Sequence, residues 1–486
     1  MRRYKGILLL TVILLLGNLT LPAQQISEKR ENYQGPGAKY VFLFIGDGMG
    51  LAQIASTEAY LSALNGKAEL EPLNFSRFPS QGFMTTHARN RFITGSAASG
   101  TALATGHKTS INTISMNHDR SRKYETIAEM AKNIGMKVGI ITTVSIDHAT
   151  PATFYAHQPL RHSYYQIGEQ LPESGFDYFG GGGFKFPKGR EETDPDLYEI
   201  VKANGYTYVN SKRKFTQLEA GNGKVMAVNP RLDGGAMPYA IDMNRKDISL
   251  AEFTAKGIEL LDNEKGFFMM VEGGKIDWAG HGNDAAGLIQ DVIAFEEAVE
   301  EAIDFYNNHP EETLIIVTAD HETGGMAVGA RETKYSAYYE RLKQQKVSLV
   351  AFGEKLDELK EYSDDITFGR VMDLTRKYIG LGKKRHGLGL SKHDMRLLKH
   401  AYSIEFGEEE SNEEMDEMAM SYIGEQSFAK TAVEILTKKS GLSFTSNSHT
   451  GIPVPVSAIG SGAELFDGRI DNTDIPKNIE VIFAPN

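Results

Sequence analysis

The segment Met270-Val271-Glu272-Gly273-Gly274-Lys275-Ile276-Asp277-Trp278-Ala279-Gly280-His281 constrains the fold more than any other part of the chain. An apolar run beginning at Gly266 stops abruptly at a carboxylate, Glu272. Such a run reads as a short strand buried on both faces, and strands of this kind feed their loops into the crevice at the carboxyl end of a parallel sheet. Asp277 and His281 follow at i, i+4 spacing, so a helix after the Gly-Gly turn puts both on one face, where they can grip one ion. Alone, the pair reads more simply as a capping Asp and a surface His. A second run, Leu314-Ile315-Ile316-Val317-Thr318, ends at Asp320-His321, so two strands deliver Asp/His pairs.

Other segments repeat the pattern. Tyr40-Val41-Phe42-Leu43-Phe44-Ile45 is a strand that runs into Gly46-Asp47-Gly48, placing Asp47 as Glu272 and Asp320 are placed. The run Val138 to Thr143 is followed by His148 and Thr150, and eleven residues beyond Thr150 comes Arg161, whose planar fork suits two phosphate oxygens. Small residues dominate Thr94 to Gly106, which suits a closely packed helix with Ser96 near its amino end, where free amides favour an anion. His449 precedes the β-rich, Pro-containing segment Ile452 to Val456, which reads as an edge strand. Each residue also has a plain structural reading: a turn Asp, a capping Ser, a surface Arg, a loop His.

Together they point elsewhere. Asp47, Glu272, Asp277 and Asp320 at one rim are too much negative charge for a crevice without cations. His281, His321 and His449 suit zinc, while Thr150 and Glu272 suit magnesium. Two metals roughly 4 Å apart, a serine oxygen and an arginine fork make a two-metal phosphoryl-transfer site.

Strand and helix alternate along most of the chain, which predicts an α/β fold: a three-layer, doubly wound, mostly parallel sheet with helices on both faces. Residues from about 332 to 439 break the rhythm, being helical and charged, and read as a helical cap insertion. At the amino end, Arg2, Arg3 and Lys5 precede an apolar stretch from Ile7 to Leu16 and the small residue Ala23, so residues 1–23 read as a signal peptide. The apolar stretch is well short of the ~20 residues of a stable membrane anchor. The expected location is therefore periplasmic or secreted, with residues 24–486 forming the catalytic domain. The absence of cysteine removes any disulfide framework or thiolate ligand, and the net charge of −12 argues against nucleic acid as a partner.

The chain resembles the alkaline phosphatase family over nearly its whole mature length. The motifs are I-G-D-G-M-G at 45–50, G-S-A-A-S at 95–99, D-H-A-T-P-A at 147–152, E-G-G-K-I-D at 272–277, A-D-H-E-T at 319–323 and H-T-G at 449–451, in family order. The resemblance implies that Ser96 is the phosphorylated nucleophile and Arg161 the phosphate clamp. It implies a first Zn2+ on Asp277, His281 and His449, a second on Asp320, His321 and Asp47, and an Mg2+ on Asp47, Thr150 and Glu272, with His148 nearby. Small phosphate monoesters are the implied substrates, double displacement the implied mechanism, and a homodimer the suggested assembly.

Three positions depart from the family pattern. Gly95 stands where Asp usually helps hold the arginine, Trp278 where several members have Lys or His, and His148 where some have Asp. The rival readings are a phosphodiesterase of the same superfamily and an exported metal- or phosphate-binding protein, which would have no need of Ser96.

Overall fold

The computed structural model describes residues 29–67, 69–363, 366–407 and 427–483. Residues 1–23, read above as a signal peptide, and part of the expected cap lie outside these. Among the described residues no helix is long and apolar enough to cross a membrane.

Among the described residues fourteen strands occur in chain order: β1 Tyr40–Ile45, β2 Ser80–Thr85, β3 Lys137–Thr142, β4 Tyr178–Gly181, β5 Tyr206–Val209, β6 Lys224–Val228, β7 Phe267–Glu272, β8 Thr313–Thr318, β9 Glu322–Thr323, β10 Met326–Ala327, β11 Ser443–Phe444, β12 His449–Thr450, β13 Val454–Gly460 and β14 Gly468–Asp471. Ten of them form one sheet in the order β14-β2-β13-β8-β1-β7-β3-β4-β6-β5. Every pairing in it is parallel except those of β13 with β2 and β8, so the fold is α/β with a mostly parallel sheet, as expected.

The central strands are buried along their whole length because both faces carry large apolar side chains. Along β7, Phe267 packs against Phe305 of the helix Ala285–Asn308, whereas Phe268 packs against Phe154 and Phe483, from the helices Ala149–Tyr155 and Asp474–Phe483. Successive strand residues point to opposite faces, so helices cover both sides. Burying each such ring contributes about 1.5–3 kcal/mol.

The order β8-β1-β7-β3 sets four parallel neighbours side by side. Ile45 pairs with both Glu272 and Thr318, and Thr142 with Glu272, so their carboxyl ends are level. Asp47, Glu272, Asp320 and the loop carrying His148 therefore leave the sheet at one rim.

The Pro-containing segment expected at a sheet edge is instead interior, since β13 lies between β2 and β8. Its pairing with β8 begins at Val456↔Thr318, and the Pro455 carbonyl accepts from the Thr318 hydroxyl at 2.9 Å. The missing Pro455 N–H thus faces the β8 side just outside the paired stretch, where no ladder bond is lost. Because β13 runs antiparallel, its first residues meet the same rim and bring His449 there.

Two short ribbons, β9 with β12 and β10 with β11, join chain on either side of the segment 328–442. Its described parts include the helices Leu349–Tyr362, Phe368–Tyr378, Lys392–Phe406 and Phe428–Ser440.

Candidate active site

His281 and Asp277 sit on the helix Lys275–His281 that follows β7. His281 Nε2 lies 3.4 Å from Asp277 Oδ1 and 3.1 Å from His449 Nε2, and His449 Nε2 lies 3.5 Å from the same carboxylate oxygen. The tautomers follow from the other ring nitrogens. His281 Nδ1 donates to the Asn447 carbonyl at 2.6 Å and His449 Nδ1 to the Thr94 carbonyl at 2.9 Å. Carbonyls only accept, so in the neutral rings both Nε2 atoms are bare lone pairs facing each other across a carboxylate. That arrangement is a cation site.

The second cluster repeats the logic. Thr323 Oγ1 donates to Asp277 Oδ1 at 2.5 Å and can therefore accept from His321 Nδ1 at 3.3 Å. His321 Nε2 is left bare, 3.4 Å from Asp47 Oδ1, 3.3 Å from Asp320 Oδ2 and 3.3 Å from Ser96 Oγ. Both Asp47 oxygens, Asp320 Oδ2, Glu272 Oε1 and Thr150 Oγ1 are buried without hydrogen-bond partners. Orphaned acceptors of this kind are tolerated where an ion takes the place of the missing donors. The donor chemistry fits divalent ions: nitrogen and carboxylate around His321 and around His281, oxygen around Thr150 and Glu272.

Electrostatics agree with the geometry. Burial, then the charges of Asp320, Asp277 and Glu272, raise Asp47 well above the usual carboxylate range. Burial and the Asp277 charge push Asp320 up to about 7, and burial pushes Glu272 up to about 8. Asp277 is also buried, but its hydrogen bond to His281 and the three nearby imidazoles hold it well below that range. Burial alone would lower His281; the hydrogen bond and charge of Asp277 raise it to about 9, so without a cation a proton occupies that position.

Ser96 begins the helix Ser96–Thr105, capped by Gly95 rather than by its own side chain, and its hydroxyl is free to face the cluster. Arg161 reaches the site through His148, its Nη2 donating to His148 Nε2 at 2.9 Å. Burial, and after it the Arg161 charge among others, depresses His148, His321 and His449. Accepting from Arg161 puts the proton of neutral His148 on Nδ1, which is buried without a partner, and His148 groups with Asp47 and Glu272 as a third set able to hold an ion. Trp278 packs edge-to-face on His148, with ring centroids 5.8 Å apart.

All ten residues named as nucleophile, clamp or ligand, with His148 and Trp278, thus lie on the loops and helix ends at one rim. Sequence reasoning missed the residues that aim them. Thr142 donates a short hydrogen bond to Glu272 Oε2, and Ser99 Oγ donates to the Asp320 carbonyl at 2.6 Å. Buried Glu322 accepts from Gln53 Nε2 at 2.7 Å and from the Thr450 hydroxyl, tying β9 to β12 beside His449. Thr323 and Glu322 stand inside the motif at 319–323, the one signal that pointed to them. Gly48 has φ +73°, and a Cβ there would meet Thr323 Oγ1 at 2.7 Å, so only glycine lets the Asp47 loop approach this closely.

A buried serine hydroxyl beside bare imidazole nitrogens and uncompensated carboxylates, at the carboxyl end of a parallel sheet, is the arrangement expected of a metal-dependent hydrolase. A family model for alkaline phosphatase matches residues 38–484. Alkaline phosphatase 3 of Bacillus subtilis (strain 168) is 32% identical over 485 residues, covering 95% of this chain and 92% of the relative. Among solved structures, the cold-active alkaline phosphatase from the psychrophile Shewanella sp. superposes with a TM-score of 0.75 at 28% identity, covering 91% of this chain and 99% of that one. The alkaline phosphatase of the Antarctic bacterium TAB5 gives a TM-score of 0.64 at 26% identity over 93% and 100%. The chain belongs to the alkaline phosphatase family and is a phosphatase.

Proposed function

We propose that the chain is an exported phosphomonoesterase that hydrolyses small phosphate monoesters by double displacement through a phosphoserine at Ser96. The observation that carries this reading is the Ser96 hydroxyl at a helix amino end, 3.3 Å from His321 Nε2 and within the charge field of Arg161. Two Zn2+ and one Mg2+ are the proposed complement: Asp277, His281 and His449 would hold the first zinc, Asp47, Asp320 and His321 the second, and Asp47, Thr150 and Glu272 the magnesium. A mutant of the TAB5 enzyme in which a histidine is replaced by Glu has been solved with magnesium bound in its M3 site. Such ions, when bound, supply Lewis-acid charge that acidifies the serine hydroxyl and offsets charge on the departing oxygen.

The rest is done by the chain. Ser96 Oγ attacks phosphorus and the ester oxygen leaves with its alcohol; water then attacks the phosphoserine, releasing phosphate and restoring the hydroxyl. Arg161 pairs with two equatorial oxygens, and the first amides of the Ser96–Thr105 helix point at the same group. An arginine fork fits the dianion of a monoester better than the monoanion of a diester, which favours monoesterase over diesterase activity.

Metal analysis of the purified protein, paired with hydrolysis of an aryl monoester and of the matching diester, tests the assignment. Bound zinc and faster monoester turnover are expected; a diester rate equal to or above the monoester rate would overturn it. Export through residues 1–23 predicts a mature protein whose amino terminus follows Ala23, read by terminal sequencing, and a homodimer predicts twice the chain mass in light scattering.

Gly95 offers a separate test. Its backbone is extended (φ −129°, ψ 163°), and a Cβ there would meet nothing within 4 Å, so Gly95→Asp fits without strain. Asp at this position adds a carboxylate near Arg161 and a good helix cap. Tighter inhibition by inorganic phosphate is expected, and an unchanged Ki would count against the clamp being loosened by Gly95.

A further inference from the structure

Lys275 is a buried lysine that the proposed chemistry does not use. It opens the helix Lys275–His281, its backbone N–H donates to Thr143 Oγ1 at 3.1 Å, and its side chain is 2% exposed. No carboxylate among the described residues forms an ion pair with it; instead Nζ lies 4.1 Å from the Tyr239 ring centroid and 4.2 Å from that of Trp278. Burying an ammonium is costly, and two aromatic faces, with the longer-range charges of Asp291, Asp233 and Asp242, offset part of the cost here.

The contacts continue toward the crevice. The Trp278 indole, with the cation over one face, meets His148 edge-to-face at an interplanar angle of 72°. His148 must keep its orientation for Nε2 to accept from Arg161 at 2.9 Å. Arg161 has no other side-chain anchor among the described residues: its backbone N–H donates to the Asn112 carbonyl, and Gly95 offers no side chain. We propose that Lys275 is a positioning residue for the phosphate clamp, its ammonium fixing Trp278, and through Trp278 and His148 fixing the guanidinium of Arg161. This rests on Arg161 being the clamp.

A bland alternative is that Lys275 only balances buried Asp291, whose charge it faces at longer range. The two separate in a mutant cycle measured on the metal-loaded enzyme at pH 7, with inorganic phosphate as the probe. Trp278 is the only tryptophan in the chain, so its emission reports this contact directly. Lys275→Met should weaken phosphate inhibition about 3- to 10-fold, a fraction of a desolvated cation–ring contact, because the effect reaches Arg161 only through Trp278 and His148. It should raise KM more than it lowers kcat, and shift the Trp278 emission. Arg161→Ala should weaken phosphate inhibition as well, and adding Lys275→Met to it should cause no further loss, because both act on one group. Trp278→Leu, which removes the link and leaves Lys275 in place, carries the same expectation for phosphate inhibition and for the double variant, and serves if Lys275→Met does not fold. An unchanged phosphate Ki in the folded single variants, or losses that multiply in the double variant, overturns the positioning role. If Arg161→Ala itself leaves phosphate inhibition intact, the clamp assignment fails first, and this role with it.

Discussion

Ser96→Ala is expected to reduce kcat/KM by on the order of 10³-fold or more, because removal of a nucleophile leaves only binding and electrostatics to act. Protein incubated with radiolabelled phosphate and quenched at low pH should carry label in the native chain and none in the variant. The melting temperature should stay close to that of the native protein, since the hydroxyl makes one contact, to His321, and caps nothing. Label retained in Ser96→Ala would move the nucleophile elsewhere. Label absent from both, with turnover intact, would replace double displacement by direct attack of water.

Stripping the divalent ions should abolish turnover and make stability fall as pH rises. In the metal-free site Asp320 is pushed up to about 7 and Glu272 to about 8, while both titrate near ~4 when unfolded. Groups whose folded pKa is raised bind more protons in the native state between those values, so the stability they contribute is full below ~4 and is lost as pH climbs through 7 to 8. His281, raised to about 9, adds a loss of the same sign at the upper end. Asp277 has the opposite sign with a window below ~4, and His148, His321 and His449, lowered chiefly by burial, also have the opposite sign with a window that closes at ~6.5. Bound ions replace those protons, and an ion held at a thousandfold excess over its Kd adds about 4 kcal/mol. Melts of chelated and reconstituted protein between about pH 6.5 and 8.5, above the histidine window, should therefore diverge as pH increases. A gap that narrows over that range would mean the carboxylates are balanced by the chain itself.

Much of this site was legible because ligands sit at strand ends, and strand ends can be recognised from apolar runs. Asp47, Glu272 and Asp320 each follow such a run directly, and Asp277 and His281 share a helix face by spacing alone. The residues that aim them were hidden for a physical reason. Thr142, Ser99 and Thr323 act through single hydrogen bonds between segments far apart in the chain, and no local pattern marks a hydroxyl whose partner is distant. Pro455 misled in a related way: proline disfavours an interior strand only if the absent N–H points at a paired neighbour, and that direction depends on where the β8 pairing starts. Nothing local in the sequence marks Lys275 as lying between two rings.

The position of β1 bears on how the chain folds. Its partners on either side are residues 267–272 and 313–318, so the middle of the sheet cannot close until roughly two-thirds of the polypeptide is available, and such remote pairings form slowly. Until then the six apolar residues of the first strand have no mates and are prone to self-association. Truncated chains that end before Thr318 should consequently aggregate even though they contain Ser96 and Arg161, and recovery of the intact protein should depend on how long that strand is left waiting.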